Sequence, residues 1–164
     1  MSTRLPTPDA YIFFTDIKGE SGDKEHKEWT AVNSFKIDLF NEINKSNQGT
    51  GLGGGIVHVG NLHLSLLFDK SAITLRKFAT SGQHIKEVKL NVRRQGGSQE
   101  AWYQLTLTQA MVANAQLVYG DNHFYCDIEL AFQKHKESYF PLDFEGKKGA
   151  EITYTWDSYT NKLE

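Results

Sequence analysis

Apolar and polar residues alternate with period two along most of this chain. From Trp29 to Leu39, the residues Trp29, Ala31, Phe35, Ile37 and Leu39 fall on one side, and Thr30, Ser34, Lys36 and Asp38 on the other. Leu62, Leu64, Leu66 and Phe68 alternate with Asn61, His63 and Ser65, and Val88, Leu90 and Val92 with Lys89, Asn91 and Arg93. Tyr103, Leu105 and Leu107 alternate with Gln104 and Thr106, and Phe124, Cys126, Ile128, Leu130 and Phe132 with Asp127, Glu129 and Gln133. Ile152, Tyr154 and Trp156 end the series. Successive side chains on a strand point to opposite faces, so each run predicts a strand with one apolar face. Tyr11 to Ile17 predicts a further strand, apolar on both faces.

One stretch departs from this rhythm. Ser71 to Thr80 places Ala72, Leu75, Phe78 and Ala79 at helical spacing. Asp69 or Ser71 can cap its first turn, and Gly82 can end it in the left-handed conformation. Asn41 to Gly55, rich in Gly and Asn, is too long for a tight hairpin and too polar for core, so it reads as a functional or flexible loop. Asp143 to Gly149 reads as a shorter turn. The pattern predicts a mainly β fold, a barrel or sandwich of roughly eight strands, with one short helix.

Composition narrows the function. The 164 residues suit one domain, 1–164, with Met1 to Asp9 as a flexible tail. Net charge is -2, and no basic cluster of the kind that nucleic acid or an anionic membrane requires stands out. The single cysteine, Cys126, precludes an intramolecular disulfide. The N-terminus lacks the apolar core of a secretory signal, and no run reaches the length of a membrane helix.

Candidate chemistry is sparse. Gly51, Gly53, Gly54 and Gly55 lead into the strand-like Ile56-Val57-His58-Val59 rather than into the helix that a phosphate cradle needs. No zinc spacing occurs among the six histidines, which read as single surface or rim residues. Cys126 lies on an apolar strand face, where it acts as a small hydrophobe. No nucleophile elbow is present. The expectation is a non-enzymatic protein with no cofactor or metal.

Particular strings carry a family resemblance. Asp16-Ile17-Lys18-Gly19-Glu20-Ser21, followed by Asp23-Lys24 and His26, resembles the opening of the haemolysin-coregulated proteins of type VI secretion systems. Gly53-Gly54-Gly55 before an aliphatic strand, Phe68-Asp69-Lys70-Ser71 at a helix start and Ser81-Gly82-Gln83-His84 at its end are similar to that family in collinear order. Val88-Lys89-Leu90 with Arg93 and Gly96-Gly97, Phe132-Gln133-Lys134, Gly149 and Trp156 extend the likeness across roughly Ala10 to Asp157. Phe35 and Ile37 stand where many members carry tryptophan, and Met1 to Asp9 is longer than the usual start.

The resemblance implies a two-sheet β-barrel with one short helix outside it, similar to phage tail-tube proteins. It implies homohexameric rings with a wide pore, stacked into a tube inside contractile sheath proteins and tipped by a spike protein. Effector cargo would travel in the pore, and the protein would pass from the bacterial cytoplasm to the outside or a target cell without a cleavable signal. Carried over residue by residue, Ser34, Lys36 and Asp38 would face the pore. Asn47, Gly49, Gly51, Leu52 and Gly53 would form the loop that reaches a neighbouring ring. Two other readings stay open at this point. One is a tail-tube subunit of another phage-like contractile particle. The other is a monomeric carbohydrate-binding β-sandwich using exposed aromatics such as Trp102.

Overall fold

The computed structural model describes residues 10–45, 52–93, 100–145 and 147–164, and these hold ten strands and one helix. The strands are β1 (Ala10–Phe14), β2 (Thr30–Lys36), β3 (Leu39–Lys45), β4 (Leu52–Val59), β5 (Leu62–Leu67), β6 (Ile85–Arg93), β7 (Ala101–Gly120), β8 (His123–Tyr139), β9 (Ile152–Asp157) and β10 (Lys162–Leu163). Helix α1 spans Lys70–Ser81. The strand order β8-β5-β2-β1-β6-β7 closes on itself because β7 also pairs with β8, all antiparallel. Closure satisfies the backbone groups that an open sheet would leave at its edges. The far end of β8 extends beyond this barrel and carries β9 and then β10.

The predicted apolar faces supply the core. Leu62, Leu64 and Leu66, Val88 and Leu90, Leu105 and Leu107, and Cys126, Ile128 and Leu130 are buried together. Ile12 and Phe14 point into the same core, while Tyr11 is buried on the opposite face, so β1 is covered on both sides as its sequence requires. Each fully buried Leu- or Ile-sized side chain contributes about 2 kcal/mol by leaving water. Helix α1 presses Ala72, Leu75 and Phe78 inward and packs against β7. Asp69 caps it, accepting from the Ser71 N–H at 2.8 Å, and Gly82 ends it at φ 69°.

Three sequence expectations need correction. In β2, Thr30 and Val32 point inward rather than Trp29 and Ala31. A bulge at Asn33, where the register against β5 slips between Val32 and Ser34, then reverses the phase. Beyond it Phe35 packs towards the core, and Ser34 and Lys36 face outward as expected. Much of Asn41 to Gly55 is strand: β3 and β4 form a separate antiparallel ribbon, pairing Leu39 with Val59 and Lys45 with Leu52. Gly55 belongs to a close contact there, since a Cβ would lie 1.5 Å from the Glu42 carbonyl oxygen. Finally, β7 runs on well past Leu107 to Gly120. It joins β8 through Asp121 and Asn122 at φ 47° and 62°, the pair of left-handed residues that a two-residue hairpin turn demands.

Candidate functional site

Four neighbouring strands, β2, β5, β8 and β7, present a polar outer face over the buried core. Its side chains fall into two cross-strand rows. Lys36 lies beside His63, His63 beside Glu129, and Glu129 beside Asn114. One step along, Ser34 lies beside Ser65, Ser65 beside Asp127, and Asp127 beside Gln116. Together they line an open hollow of about 470 Å³. The Lys36 ammonium sits 3.4 Å from the carboxylate of Asp38, just beyond the end of β2. Asn61 donates to Glu129 at 2.8 Å. The three residues singled out in sequence, Ser34, Lys36 and Asp38, thus share one surface.

The remaining members were harder to find. His63, Ser65, Asp127 and Glu129 are the polar halves of predicted strands, but sequence alone does not pair one strand with another. Asn114 and Gln116 lie in the half of β7 that was not predicted as strand. A second bulge, between Val112 and Asn114, turns them to the polar side.

The β3–β4 ribbon forms a second surface. Leu39, Phe40, Ile43 and Ile56 are each more than half exposed on it. Phe40 stacks on His58 with ring centres 4.7 Å apart, and His58 is 3.1 Å from Glu42. Of the predicted loop residues, Leu52 and Gly53 lie in β4, opposite Lys45 and Asn44. Asn47, Gly49 and Gly51 lie outside the described residues.

The Asp16-to-His26 string is architectural. Asp16 makes a left-handed turn at φ 63° that brings Ile17 back beside Phe14. Gly19 is required by space, since a Cβ would meet the Trp29 carbonyl oxygen at 2.4 Å. Glu20 accepts from the Lys70 N–H at 3.0 Å, while Asp69 accepts from the Glu20 N–H at 3.0 Å, so the loop and the start of α1 cap each other. Ser71 also bonds to Asp69 and receives the Thr30 hydroxyl at 2.9 Å.

Asp23 is gripped by both terminal nitrogens of Arg93, at 2.7 and 2.9 Å, and by His26 Nδ1 at 2.9 Å. Burial opposes ionisation of Asp23, but hydrogen bonds from Arg93 and His26 and the Arg93 charge outweigh it and hold the carboxyl below its ordinary range. His26 stacks on Tyr11 at 4.8 Å, meets Trp29 edge-on and bonds to Asn91. It is therefore a buried structural histidine, contrary to the surface role expected of it. Arg93, assigned by alternation to a solvated face, is buried as well.

The other chemical candidates stay structural. Cys126 is fully buried, and burial pushes its thiol up to about 11. His123 is exposed and stacks on Tyr125. Trp102 meets Tyr139 edge-on, beside Phe140 and Leu142 at one end of the barrel. Among the described residues, no three His, Cys, Asp or Glu side chains converge as metal ligands, and no helix is long and apolar enough to cross a membrane.

Comparison with known proteins accounts for this architecture. A family model described as "Type VI secretion system effector, Hcp" matches residues 11–139. Protein hcp1 of Pseudomonas aeruginosa is 29% identical over 157 residues, covering 93% of this chain and 96% of the relative. A solved structure described as a type six secretion system protein superposes with a TM-score of 0.89 at 27% identity, covering 96% of this chain and all of the other. Hcp1 from Salmonella typhimurium gives a TM-score of 0.78 at 27% identity, covering 95% and 98%. The match runs from the buried β1 through the polar β2–β5–β8–β7 face to the end of β8, and the chain belongs to the Hcp family of type VI secretion system proteins.

Proposed function

We propose that the chain is a structural subunit of the inner tube of a type VI secretion system, not an enzyme. Six copies form a ring, rings stack inside the contractile sheath behind the spike protein, and the tube is exported from the bacterial cytoplasm with effector cargo in its pore. The observation that carries this reading is the polar β2–β5–β8–β7 face. A water-filled pore wall calls for a broad sheet face with polar groups outside and an apolar core behind, and the two registered rows supply it. Ser34, Lys36 and Asp38 are then pore-lining residues. The β3–β4 ribbon, with Leu52 and Gly53 in it and Asn47, Gly49 and Gly51 nearby in sequence, is the contact to the next ring. A heterologous contact that closes by rotation gives a ring, and exposed apolar strands offer material for it.

The test is size-exclusion chromatography with light scattering, followed by negative-stain electron microscopy of the peak. The expected species has six subunit masses of 18.6 kDa and images as a ring with a central hole. A monomer at every concentration, without rings in the images, would overturn the tube reading.

A further inference from the structure

We infer that the polar β2–β5–β8–β7 face selects a cationic polypeptide as its cargo. This rests on the pore reading above, and its ground is the distribution of charge. In the two rows Asp127 and Glu129 contribute two negative charges and Lys36 one positive. Neither Asp127 nor Glu129 forms an ion pair among the described residues. The only lysine or arginine in the two rows is already engaged, since the Lys36 ammonium lies 3.4 Å from Asp38. Asp127 and Glu129 are left as the charges that a ligand meets.

Their spacing adds a geometric preference. Residues two apart on a strand lie about 7 Å apart on one face. An extended segment with basic residues at alternate positions matches that interval. Asn114, Gln116, Ser34 and Ser65 flank the pair with side chains that both donate and accept hydrogen bonds. Such a surface holds a partner through long-range attraction and adaptable polar contacts, which suits reversible loading better than an apolar clamp does. Six copies around one pore would multiply the field, and a low-dielectric wall behind it would strengthen it. Polyanions such as nucleic acids meet like charge here and are disfavoured.

The experiment uses the full chain and two fluorescent peptides of equal length, one lysine-rich and one glutamate-rich, followed by anisotropy at low and high salt. The lysine-rich peptide should bind at low salt and be released as the ionic strength approaches 0.5 M, where the screening length falls to roughly 4 Å. Asp127→Asn with Glu129→Gln should weaken that binding by at least about tenfold. The exposed pair Glu145→Gln with Glu151→Gln removes the same charge elsewhere and should change it less than about twofold. Equal loss in both double variants, no binding by wild type, or preference for the glutamate-rich peptide or a DNA oligonucleotide overturns the inference. The face is present in every copy, so anisotropy decides charge selectivity whether or not rings form. Rings without selectivity refute this inference alone, and selectivity in a monomer refutes the ring.

Discussion

At the scale of single residues, the most consequential cluster is the one that alternation misplaced. Period two put Arg93 outside with Lys89, and the histidines, His26 among them, read as surface or rim residues. Both judgements treat a charge as wanting water. The loop between β1 and β2 supplies a substitute for water instead, with Asp23 bidentate to Arg93, His26 and Asn91 completing the bonds, and Tyr11 below as a flat ring 5.1 Å from the guanidinium. A buried ion pair of this kind is a weak net stabiliser but costly to break from one side. Arg93→Met should therefore lose about 3 kcal/mol of unfolding free energy in urea titrations, because Asp23 and His26 keep their burial without a cation. Adding Asp23→Leu to Arg93→Met should recover part of that loss. A double variant less stable than the sum of the two single changes would show that the pair matters through packing alone. The family strings marked Asp23 and His26 as noteworthy, but their partner lies 70 residues away from Asp23, and only the β1–β6 pairing brings it there.

At the scale of elements, the helix and most barrel strands were legible because each has a period and an apolar face. Two classes of element were not. Bulges at Asn33 and between Val112 and Asn114 shift the phase, and a single inserted residue leaves no mark in composition. The β3–β4 ribbon was legible only at Ile56 to Val59, for a different reason. Its glycines and asparagines disfavour strand, and it has no core-facing side against its own barrel, so no apolar alternation develops. An isolated two-stranded ribbon is marginal in water. Leu39, Phe40, Ile43 and Ile56 are exposed on it, and in the proposed tube another copy would cover them. Phe40 and Ile56 fall on the same side of the ribbon, beside His58 and Glu42. Phe40→Asp with Ile56→Asp should leave the unfolding midpoint of the barrel within about 0.5 kcal/mol of wild type. Sedimentation velocity should show the larger assemblies lost. A large drop in midpoint with assembly intact would place these side chains in intramolecular packing.

At the scale of the whole molecule, acid is the natural probe, because a buried histidine and a half-buried aspartate lie far apart in the chain and their contributions fail in different windows. His135 is buried in β8, with β7 on one side and β9 on the other. Its Nε2 is 3.1 Å from the Tyr154 hydroxyl, while its Nδ1 has no hydrogen-bond partner among the described residues. Burial lowers its proton affinity, against a smaller opposing pull from Glu137. The folded protein therefore keeps His135 neutral where the unfolded chain, titrating near ~6.5, begins to take up a proton. Below that value the unfolded state binds more protons, so stability falls with falling pH until the lower folded value is reached, by at most about 1.4 kcal/mol per pH unit for one proton. Asp23 acts later. Its carboxyl is held below the ordinary range, so its contribution is intact above about pH 4 and disappears as pH falls through the folded value. Urea midpoints should thus decline in two stages, a shallow one from about pH 6.5 and a second below about pH 4. His135→Phe should flatten the first stage and leave the second, and Asp23→Asn should do the reverse. If His135→Phe leaves the decline between pH 7 and 5 unchanged, the buried imidazole is not its source. If the first stage is accompanied by loss of β9–β10 protection in hydrogen exchange while the closed barrel stays protected, the weak point is the extension beyond the barrel. Acid would then open the molecule from the end where Tyr154 meets His135, leaving the polar four-strand face in place.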